Sequence, residues 1–397
     1  MELVRRAQGI SPSPTLTIDS RAKAMKAAGA NVINFGVGEP DFDTPEHIKA
    51  AAVAAIQSGM TKYTAVGGII ELRRVIADKL RAENGLDYKP EEIIVSAGAK
   101  HSLYNAFQVL CQEGDEVILP EPYWVSYLEQ IKLTGARPVL VKTTLESGFK
   151  LTPEQLRSAI TPRSKVLVLN SPSNPTGAVY SRRELEGLAE VVLGSNIGVI
   201  SDEIYEKLLY DGEEHISIAS LDTRLKERTV VINGVSKAYA MTGWRIGYAA
   251  APLAVTKAMT DLQSHSTSNP TSIAQAATVA ALAGDQSALQ EMLRQFTERR
   301  EYILGRLAGI DGVRCTRPGG AFYAYPHMGA FWGRKYGDNE VNSGTDLAKL
   351  LLEEQQVALV PGITFGDDDY IRLSYAAGLD TIREGLDRIE AWLKALR

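Results

Sequence analysis

The sequence predicts an α/β protein with a mostly parallel sheet covered by helices on both faces, followed by a smaller α+β domain. Apolar runs of strand length alternate with helix-length segments up to about residue 285, a pattern typical of parallel sheets buried between helices. Beyond that point a long charged helix and short strands follow. The 397 residues also exceed the size of about 250–300 residues at which single cores stop growing.

Three segments of the chain are therefore expected to form distinct parts of the structure. Residues 1–45 are predicted to be an N-terminal arm that packs with the small domain. Residues 46–285 form the predicted large domain and residues 286–397 the predicted small C-terminal domain. The sequence between them contains no flexible Gly/Ser linker, so we expect the domains to pack closely.

Helix signals open the predicted large domain. Thr44 is predicted as the N-cap of a first helix, with Pro45 at its first helical position and Gly59 as its stop. The segment 71–84 has apolar residues at helical spacing and is followed by Gly85. Two helices therefore precede the first strand of the sheet.

Five predicted strands follow, and each ends beside polar or chemically reactive side chains. These strands begin the segments EEIIVSAG, EVILPEP, KVLVLNSPSNPTG, IGVISDEIY and TVVINGVSK. In open α/β sheets, ligands bind outside the carboxyl ends of the strands. That rule selects Gly98, Ala99, Lys100, Tyr123, Trp124, Asn170, Asn174, Asp202, Tyr205, Ser236 and Lys237. We expect these residues to converge on one crevice.

Charge and cysteine content exclude several classes of protein. Lys and Arg total 43 against 48 for Asp and Glu, which gives no electrostatic footprint for nucleic acid or a membrane surface. Neither an apolar run of about 18 residues nor a leader-like apolar segment is present, so we expect a cytoplasmic protein without a membrane span. Cys111 and Cys315 lack neighbouring His at ligand spacing, and no metal site is predicted.

Lys237 is the first candidate for covalent chemistry. It lies in NGVSKAYAMTGWRIGY, directly after an apolar strand, with small residues around it and Arg245 eight residues later. Poor solvation lowers the pKa of a lysine and favours the neutral amine that attacks an aldehyde. For an isolated lysine, the alternative is an ammonium that caps a strand end or pairs with an acid.

This segment resembles the lysine signature of class I pyridoxal-phosphate aminotransferases. The resemblance implies that Lys237 forms an imine with pyridoxal 5'-phosphate and that Arg245 and Ser236 help to hold the cofactor phosphate. An arginine fork and a helix N-terminus both suit a phosphate. The backbone donors expected at that helix N-terminus belong to Gly98, Ala99 and Lys100.

The same resemblance assigns roles around the cofactor ring. Asp202 ends an apolar strand, and a carboxylate facing the pyridine nitrogen keeps that nitrogen protonated, so the ring accepts electrons. Tyr205 and Asn174 are implied to contact the ring hydroxyl oxygen, and Trp124 to stack on the ring. Without the resemblance, Asp202 and Asn174 would be interpreted as turn residues and Trp124 as core.

Arg372 is implied to bind the substrate α-carboxylate. It interrupts an apolar strand, where an unpaired charge is costly, and a structural salt bridge is the alternative partner. Gly38 matches the family's close backbone approach to the same substrate. Tyr63 resembles a tyrosine that reaches the cofactor phosphate of the other subunit, which implies a homodimer with active sites at the subunit interface.

Motifs from SPSPT to IRLSYA are most similar to the bacterial aspartate aminotransferases of the short-chain branch. Lys100 matches a lysine that, in that branch, binds the distal carboxylate of the substrate, and Ser13 and Thr15 match hydroxyl residues beside it. The resemblance thus implies ping-pong transfer of the amino group of L-aspartate to 2-oxoglutarate, giving oxaloacetate and L-glutamate. Members that also use prephenate carry a basic residue where this chain has Ser11.

Alternative functions remain open at this point. An aminotransferase of another substrate range (prephenate, aromatic or alanine) or a β-lyase could use the same fold, although alanine transfer and β-lysis need no distal cation such as Lys100. A regulator that senses a ligand through such a domain usually carries a separate DNA-binding domain, for which this sequence gives no signal. A nicotinamide enzyme is disfavoured because no G-x-G-x-x-G follows a predicted strand.

Overall fold

A computed structural model describes residues 2–4 and 8–397; residues 1 and 5–7 of the predicted N-terminal arm lie outside the described residues. The strands are β1 (Ile33–Asn34), β2 (Ile93–Ser96), β3 (Glu116–Glu121), β4 (Arg137–Lys142), β5 (Ser164–Asn170), β6 (Gly198–Asp202), β7 (Thr229–Gly234), β8 (Gly247–Ala250), β9 (Tyr323–Ala324), β10 (Arg334–Tyr336), β11 (Asn339–Val341), β12 (Val357–Ala358), β13 (Val360–Pro361) and β14 (Ile371–Ser374). The α-helices are α1 (Pro14–Ala27), α2 (Glu46–Gln57), α3 (Ile70–Asn84), α4 (Ala99–Leu110), α5 (Val125–Leu133), α6 (Pro153–Ala159), α7 (Arg182–Leu193), α8 (Thr223–Lys226), α9 (Leu253–Ser264), α10 (Ser272–Ala283), α11 (Ser287–Ala308), α12 (Gly344–Gln355) and α13 (Leu379–Ala395).

Seven of the described strands form the central sheet, in the order β2-β8-β7-β6-β5-β3-β4. Strand β8 runs antiparallel to β2 and β7, and the other neighbours pair in parallel. Every residue of β2 and β7 is buried, which explains their nearly continuous apolar sequences. The predicted mostly parallel sheet is therefore confirmed, while the edge strand β4 and the Gly/Ala-rich β8 were not predicted.

Alternate side chains of the sheet pack against helices on its two faces. On one face, Val117 lies in an apolar cluster with Phe107 of α4 and Tyr127 of α5. On the other face, the adjacent Ile118 packs with Leu188 of α7. Helices therefore cover both faces, as the alternation of apolar segments predicts.

The start of the first large-domain helix differs from the prediction. Helix α2 begins at Glu46 and has Pro45 as its N-cap, so the predicted capping role of Thr44 is wrong. The Thr44 hydroxyl instead donates to the Ala240 carbonyl at 2.7 Å and accepts from the Trp244 indole N–H at 2.9 Å. These hydrogen bonds to distant residues engage the Thr44 hydroxyl, which therefore does not cap α2. Helix α3, by contrast, ends before Gly85 in the left-handed conformation, as predicted.

The C-terminal region has smaller sheets and also receives the N-terminal segment. Strands β13, β14 and β9 form an antiparallel sheet, and β10 pairs with β11. Strand β1 joins β12 in parallel, and Ala22 and Val32 pack against Leu352 and Ala358. Residues 22 and 32–34 thus contact the C-terminal region, and the division into an arm and two domains stays a prediction. Within the described residues, no helix combines the length and apolarity needed to cross a membrane.

Candidate active site

A cavity of about 420 Å³ lies beyond the carboxyl ends of β5, β6 and β7. Among its lining residues are these predicted ones: Thr15, Gly38, Ala99, Lys100, Trp124, Asn174, Asp202, Tyr205, Ser236, Lys237, Arg245 and Arg372. The cavity therefore gathers residues from the N-terminal segment, the central sheet and β14. The rule that ligands bind outside the carboxyl ends of the strands had selected the lining residues at this edge of the sheet from the sequence.

Four predicted residues do not line this cavity directly. Tyr123 instead lines a small neighbouring cavity together with Trp124. Gly98 lies beneath Arg245, because a Cβ built on Gly98 would come within 2.3 Å of the Arg245 guanidinium. Ser13 reaches the cavity through Thr15, and their hydroxyls lie 2.9 Å apart. Tyr63 is 91% exposed and is not part of the cavity of this chain.

Lys237 occupies the centre of the cavity, three residues after β7 ends. Its ammonium nitrogen donates to the Gly38 carbonyl at 2.5 Å. Burial lowers the pKa of Lys237 to about 8, with an opposing contribution from Glu39 and a supporting one from Arg245. A substantial neutral fraction of this amine is therefore available near neutral pH, as the sequence predicts.

Asp202 ends β6 and faces the same cavity. The Tyr127 hydroxyl donates to its Oδ2 at 2.6 Å, and the Ile204 backbone N–H donates to its Oδ1 at 3.2 Å. Burial raises the pKa of Asp202 to about 6, although both hydrogen bonds oppose this shift. The carboxylate is thus a buried group able to stabilise a nearby positive charge.

The start of α4 and Arg245 form a cradle suited to an anion. Gly98 has a φ of +89° and directly precedes α4, whose first residue is Ala99. The guanidinium of Arg245 donates to the Ala97 carbonyl at 3.2 Å, which holds it beside this helix N-terminus. A Cβ on Gly247 would approach the Ala99 nitrogen to 2.1 Å, so glycine is required there. Helix N-termini and guanidinium groups both favour phosphate.

Arg372 is 2% exposed and has no carboxylate partner among the described residues. It donates to the Asn174 side-chain oxygen at 2.9 Å and to the Gly36 carbonyl at 2.8 Å. Its guanidinium lies 4.5 Å from the Tyr323 ring centroid, and its Nε has no hydrogen-bond partner within the described chain. The alternative of a structural salt bridge is therefore not observed, and a buried arginine remains available for an anion.

A second, separate cation lies at the mouth of the cavity. Lys100 is exposed, and its Nζ is 4.9 Å from the Trp124 ring centroid. Loss of surrounding water and the nearby Arg245 lower the pKa of Lys100. Of the other cations that line the cavity, Lys23 is paired with Asp19 at 2.8 Å and Arg245 is held beside the start of α4. Arg372 and Lys100 have no carboxylate partner among the described residues, and two such cations suit a substrate with two carboxylates.

Two aromatic residues of the site were missed by the sequence reasoning. Tyr127 lies one turn after Trp124 and packs edge-on against it, with 5.3 Å between ring centroids. Tyr323 of β9 places its hydroxyl 2.8 Å from that of Tyr205. The one-turn spacing from Trp124 could have indicated Tyr127, whereas the position of Tyr323 depends on packing of the C-terminal region.

Residues 30–389 match the family described as aminotransferase class I and II. The chain belongs to this family. The chain is 52% identical to an aspartate aminotransferase of Geobacillus stearothermophilus, with 100% of each covered, and 46% identical to an aspartate/prephenate aminotransferase of Nitrosomonas europaea, covering 99% of this chain and 100% of that one. The solved aspartate aminotransferase of Thermus thermophilus with maleate superposes with a TM-score of 0.93 at 43% identity, covering 98% and 99% of the two chains.

Family membership confirms the predicted class I aminotransferase and its fold. Members of this family use pyridoxal phosphate, and the cavity of this aminotransferase fits that group. A lysine of lowered pKa suits its aldehyde, the anion cradle at Gly98 and Arg245 suits its phosphate, and the buried Asp202 suits its ring nitrogen.

Proposed function

We propose that this aminotransferase uses pyridoxal 5'-phosphate to transfer the amino group of L-aspartate to 2-oxoglutarate, giving oxaloacetate and L-glutamate. One observation carries the proposal: a single cavity combines the amine of Lys237 and the carboxylate of Asp202 with two separate cations, Arg372 and Lys100. The amine and carboxylate suit the cofactor. The two cations suit a dicarboxylic substrate.

The cofactor would be held from several sides of the cavity. Arg245, Ser236 and the N-terminus of α4 would bind its phosphate, and Trp124 would stack on its ring. When bound, pyridoxal phosphate supplies an aldehyde for amino groups and a ring that withdraws electrons from the substrate Cα. Asp202 would stabilise the positive charge of the ring nitrogen, and Tyr205 and Asn174 would donate to the ring oxygen.

Lys237 would be the residue that moves the proton. Burial lowers the pKa of Lys237 to about 8, which favours the neutral amine. This amine would accept the Cα proton of the substrate and return it to the aldehyde carbon of the bound cofactor. The same steps in reverse order on a second oxo acid give ping-pong kinetics.

Arg372 and Lys100 would set the substrate. The guanidinium of Arg372, already held by Asn174, would bind the α-carboxylate, with Gly38 nearby. Lys100 would bind the distal carboxylate together with the hydroxyls of Ser13 and Thr15. The Thermus thermophilus relative was solved with maleate, a compound with two carboxylates, which supports this assignment.

Trapping of the cofactor at Lys237 tests the proposal directly. After reduction of the pyridoxal-phosphate-loaded protein with borohydride, mass spectrometry should find the label on Lys237. The Lys237→Ala variant should lose the label, the pH-dependent visible absorbance and nearly all turnover, because it lacks the amine proposed to bind the cofactor aldehyde. Lys349→Ala, which changes an exposed lysine of α12, is the matched control. Labelling elsewhere, or an unlabelled wild-type protein, would contradict the proposal.

Substrate range is tested by removal of the distal cation. In Lys100→Ala, kcat/KM for aspartate should fall by about 10- to 100-fold, since a charged hydrogen bond contributes about 1.5–3 kcal/mol. The value for alanine, which has no distal carboxylate, should change little. Unchanged aspartate turnover would reject the dicarboxylate assignment and favour an alanine aminotransferase or a β-lyase.

Prephenate is a second candidate substrate, because one relative is named aspartate/prephenate aminotransferase. Ser11 is exposed and its backbone N–H donates to Glu129 at 3.2 Å, so it offers no cation to a second carboxylate. Prephenate should therefore be a poor substrate of the wild-type protein. Steady-state assays with prephenate and aspartate as competing partners measure the preference.

We also infer a homodimer in which Tyr63 of each subunit reaches the cofactor phosphate of the other. The strong exposure of this tyrosine outside the cavity of its own chain supports that inference. The cytoplasmic location, like the domain boundaries, stays a prediction from the sequence.

A further inference from the structure

Tyr127 makes the shortest side-chain hydrogen bond to the carboxylate of Asp202. Its hydroxyl donates to Oδ2 at 2.6 Å, in the range of strong bonds to charged acceptors. The tyrosine is 1% exposed and lies on α5, so this hydrogen bond is buried. The Ile204 backbone N–H binds the other oxygen, Oδ1, so both carboxylate oxygens of Asp202 have a donor.

The same tyrosine also contacts the aromatic residue of the site. Its ring lies edge-on to Trp124 at an interplanar angle of 82°. One helical turn separates the two residues, so α5 positions both the stacking ring and the donor to Asp202.

Resting on the proposed function, we propose that Tyr127 is a positioning residue, which orients the Asp202 carboxylate and keeps it ionised for the ring nitrogen of bound pyridoxal phosphate. The groups that face Asp202 are the hydroxyls of Tyr127 and Tyr205, the amine of Lys237 and the adjacent Glu203. Lys237 favours the ionised carboxylate and Glu203 opposes it. The hydroxyl of Tyr127 therefore offsets part of the effect of burial.

Loss of the Tyr127 hydroxyl has a pH-dependent consequence. Burial already holds the pKa of Asp202 at about 6, and removal of a donor raises it further. Below the new pKa, Asp202 must lose a proton before it can pair with the cofactor ring. Above this raised pKa, the Asp202 carboxylate is ionised both in the wild-type protein and in the variant that lacks the Tyr127 hydroxyl. The defect of the variant should therefore be large in mildly acidic solution and small in alkaline solution.

The experiment measures equilibrium binding of pyridoxal phosphate to the cofactor-free protein at about pH 6 and about pH 8.5. In Tyr127→Phe, the dissociation constant should increase about fivefold at the lower pH and stay within about twofold of wild type at the higher pH, as for a pKa change of about one unit. In a full pH profile of cofactor affinity, the acid limb should shift upward by the same interval.

Tyr180→Phe is the matched control. Tyr180 is also a buried tyrosine with one hydrogen bond, from the Leu151 backbone N–H at 2.8 Å, but it packs on the opposite face of the sheet. It should leave the pH dependence of cofactor binding unchanged. A second variant, Tyr127→3-fluorotyrosine, keeps the shape and strengthens the donor, so it should shift the acid limb downward even if Tyr127→Phe fails to fold.

The outcomes separate the two hypotheses. Equal weakening at both pH values, or no weakening, would overturn the positioning role of Tyr127 while the trapped label on Lys237 still supports the aminotransferase proposal. An acid limb that moves in the same direction in both Tyr127 variants would also overturn it. A wild-type protein that binds no pyridoxal phosphate would overturn both.

Discussion

At the scale of single residues, the site buries ionisable groups that would be more stable in water. Asp202 is 3% exposed, and burial raises its pKa from 3.8 to about 6. The folded protein therefore holds this proton up to about pH 6, whereas the unfolded chain releases it near pH 3.8. Stability consequently falls as the pH rises through this window, because the unfolded state binds fewer protons.

Asp202→Asn should therefore stabilise the cofactor-free protein near neutral pH while it removes the charge that we propose pairs with the cofactor ring. We expect a gain of about 1–3 kcal/mol at pH 7 that disappears below about pH 4, where the wild-type carboxyl is neutral too. Denaturant unfolding at both pH values measures this gain. Asp311→Asn, at an exposed aspartate, should change neither value. A gain of equal size at both pH values would show that charge burial is not its cause.

At the scale of elements, the carboxyl ends of the strands and the start of α4 build the site. Strand β8 was not predicted from the sequence, because its four residues are Gly, Tyr, Ala and Ala, and Gly and Ala are not typical of strands. It lies between β2 and β7, and its Gly247 touches the backbone at Gly98 and Ala99. A strand of small residues therefore lets the anion cradle approach the sheet.

Gly247→Ala should weaken cofactor binding through this element. The added Cβ would lie 2.1 Å from the Ala99 nitrogen, so the start of α4 must shift away from Arg245. We expect the dissociation constant of pyridoxal phosphate to increase at least about tenfold, because the loss of one charged hydrogen bond weakens binding by about that factor. Absorbance titration measures this constant. Gly243→Ala, where a Cβ meets nothing within 4 Å, is the control. Equal effects of the two variants would contradict the role of the close approach.

At the scale of the whole molecule, one chain leaves several large side chains exposed, among them Tyr63. Val53 and Ile56 of α2, Ile70 of α3 and Leu253 of α9 are 51%, 52%, 42% and 55% exposed. Large apolar residues exposed together commonly mark an interface. This surface supports the inferred homodimer.

Mixing two inactive or impaired variants tests the shared site. In a dimer of Lys237→Ala and Tyr63→Ala subunits, one site carries both substitutions and the other carries neither, if Tyr63 acts across the interface. Co-refolded mixtures should then recover about a quarter of wild-type sites, since half of the dimers are mixed. Activity measured at saturating cofactor gives the fraction. If the mixture shows no more activity than its Tyr63→Ala dimers account for, Tyr63 acts within its own subunit or lies outside the site.

The sequence by itself determined the fold class and most of the candidate site. Periodicity fixes which segments are strands and helices, and residues that follow buried strands, such as Asp202 and Lys237, must meet at one edge of a parallel sheet. The tertiary structure decided the contacts between distant segments: Tyr127 on Asp202, Tyr323 beside Arg372, and the recruitment of Thr44 away from its expected cap. Such contacts depend on how elements pack in three dimensions, and local sequence patterns do not specify that packing.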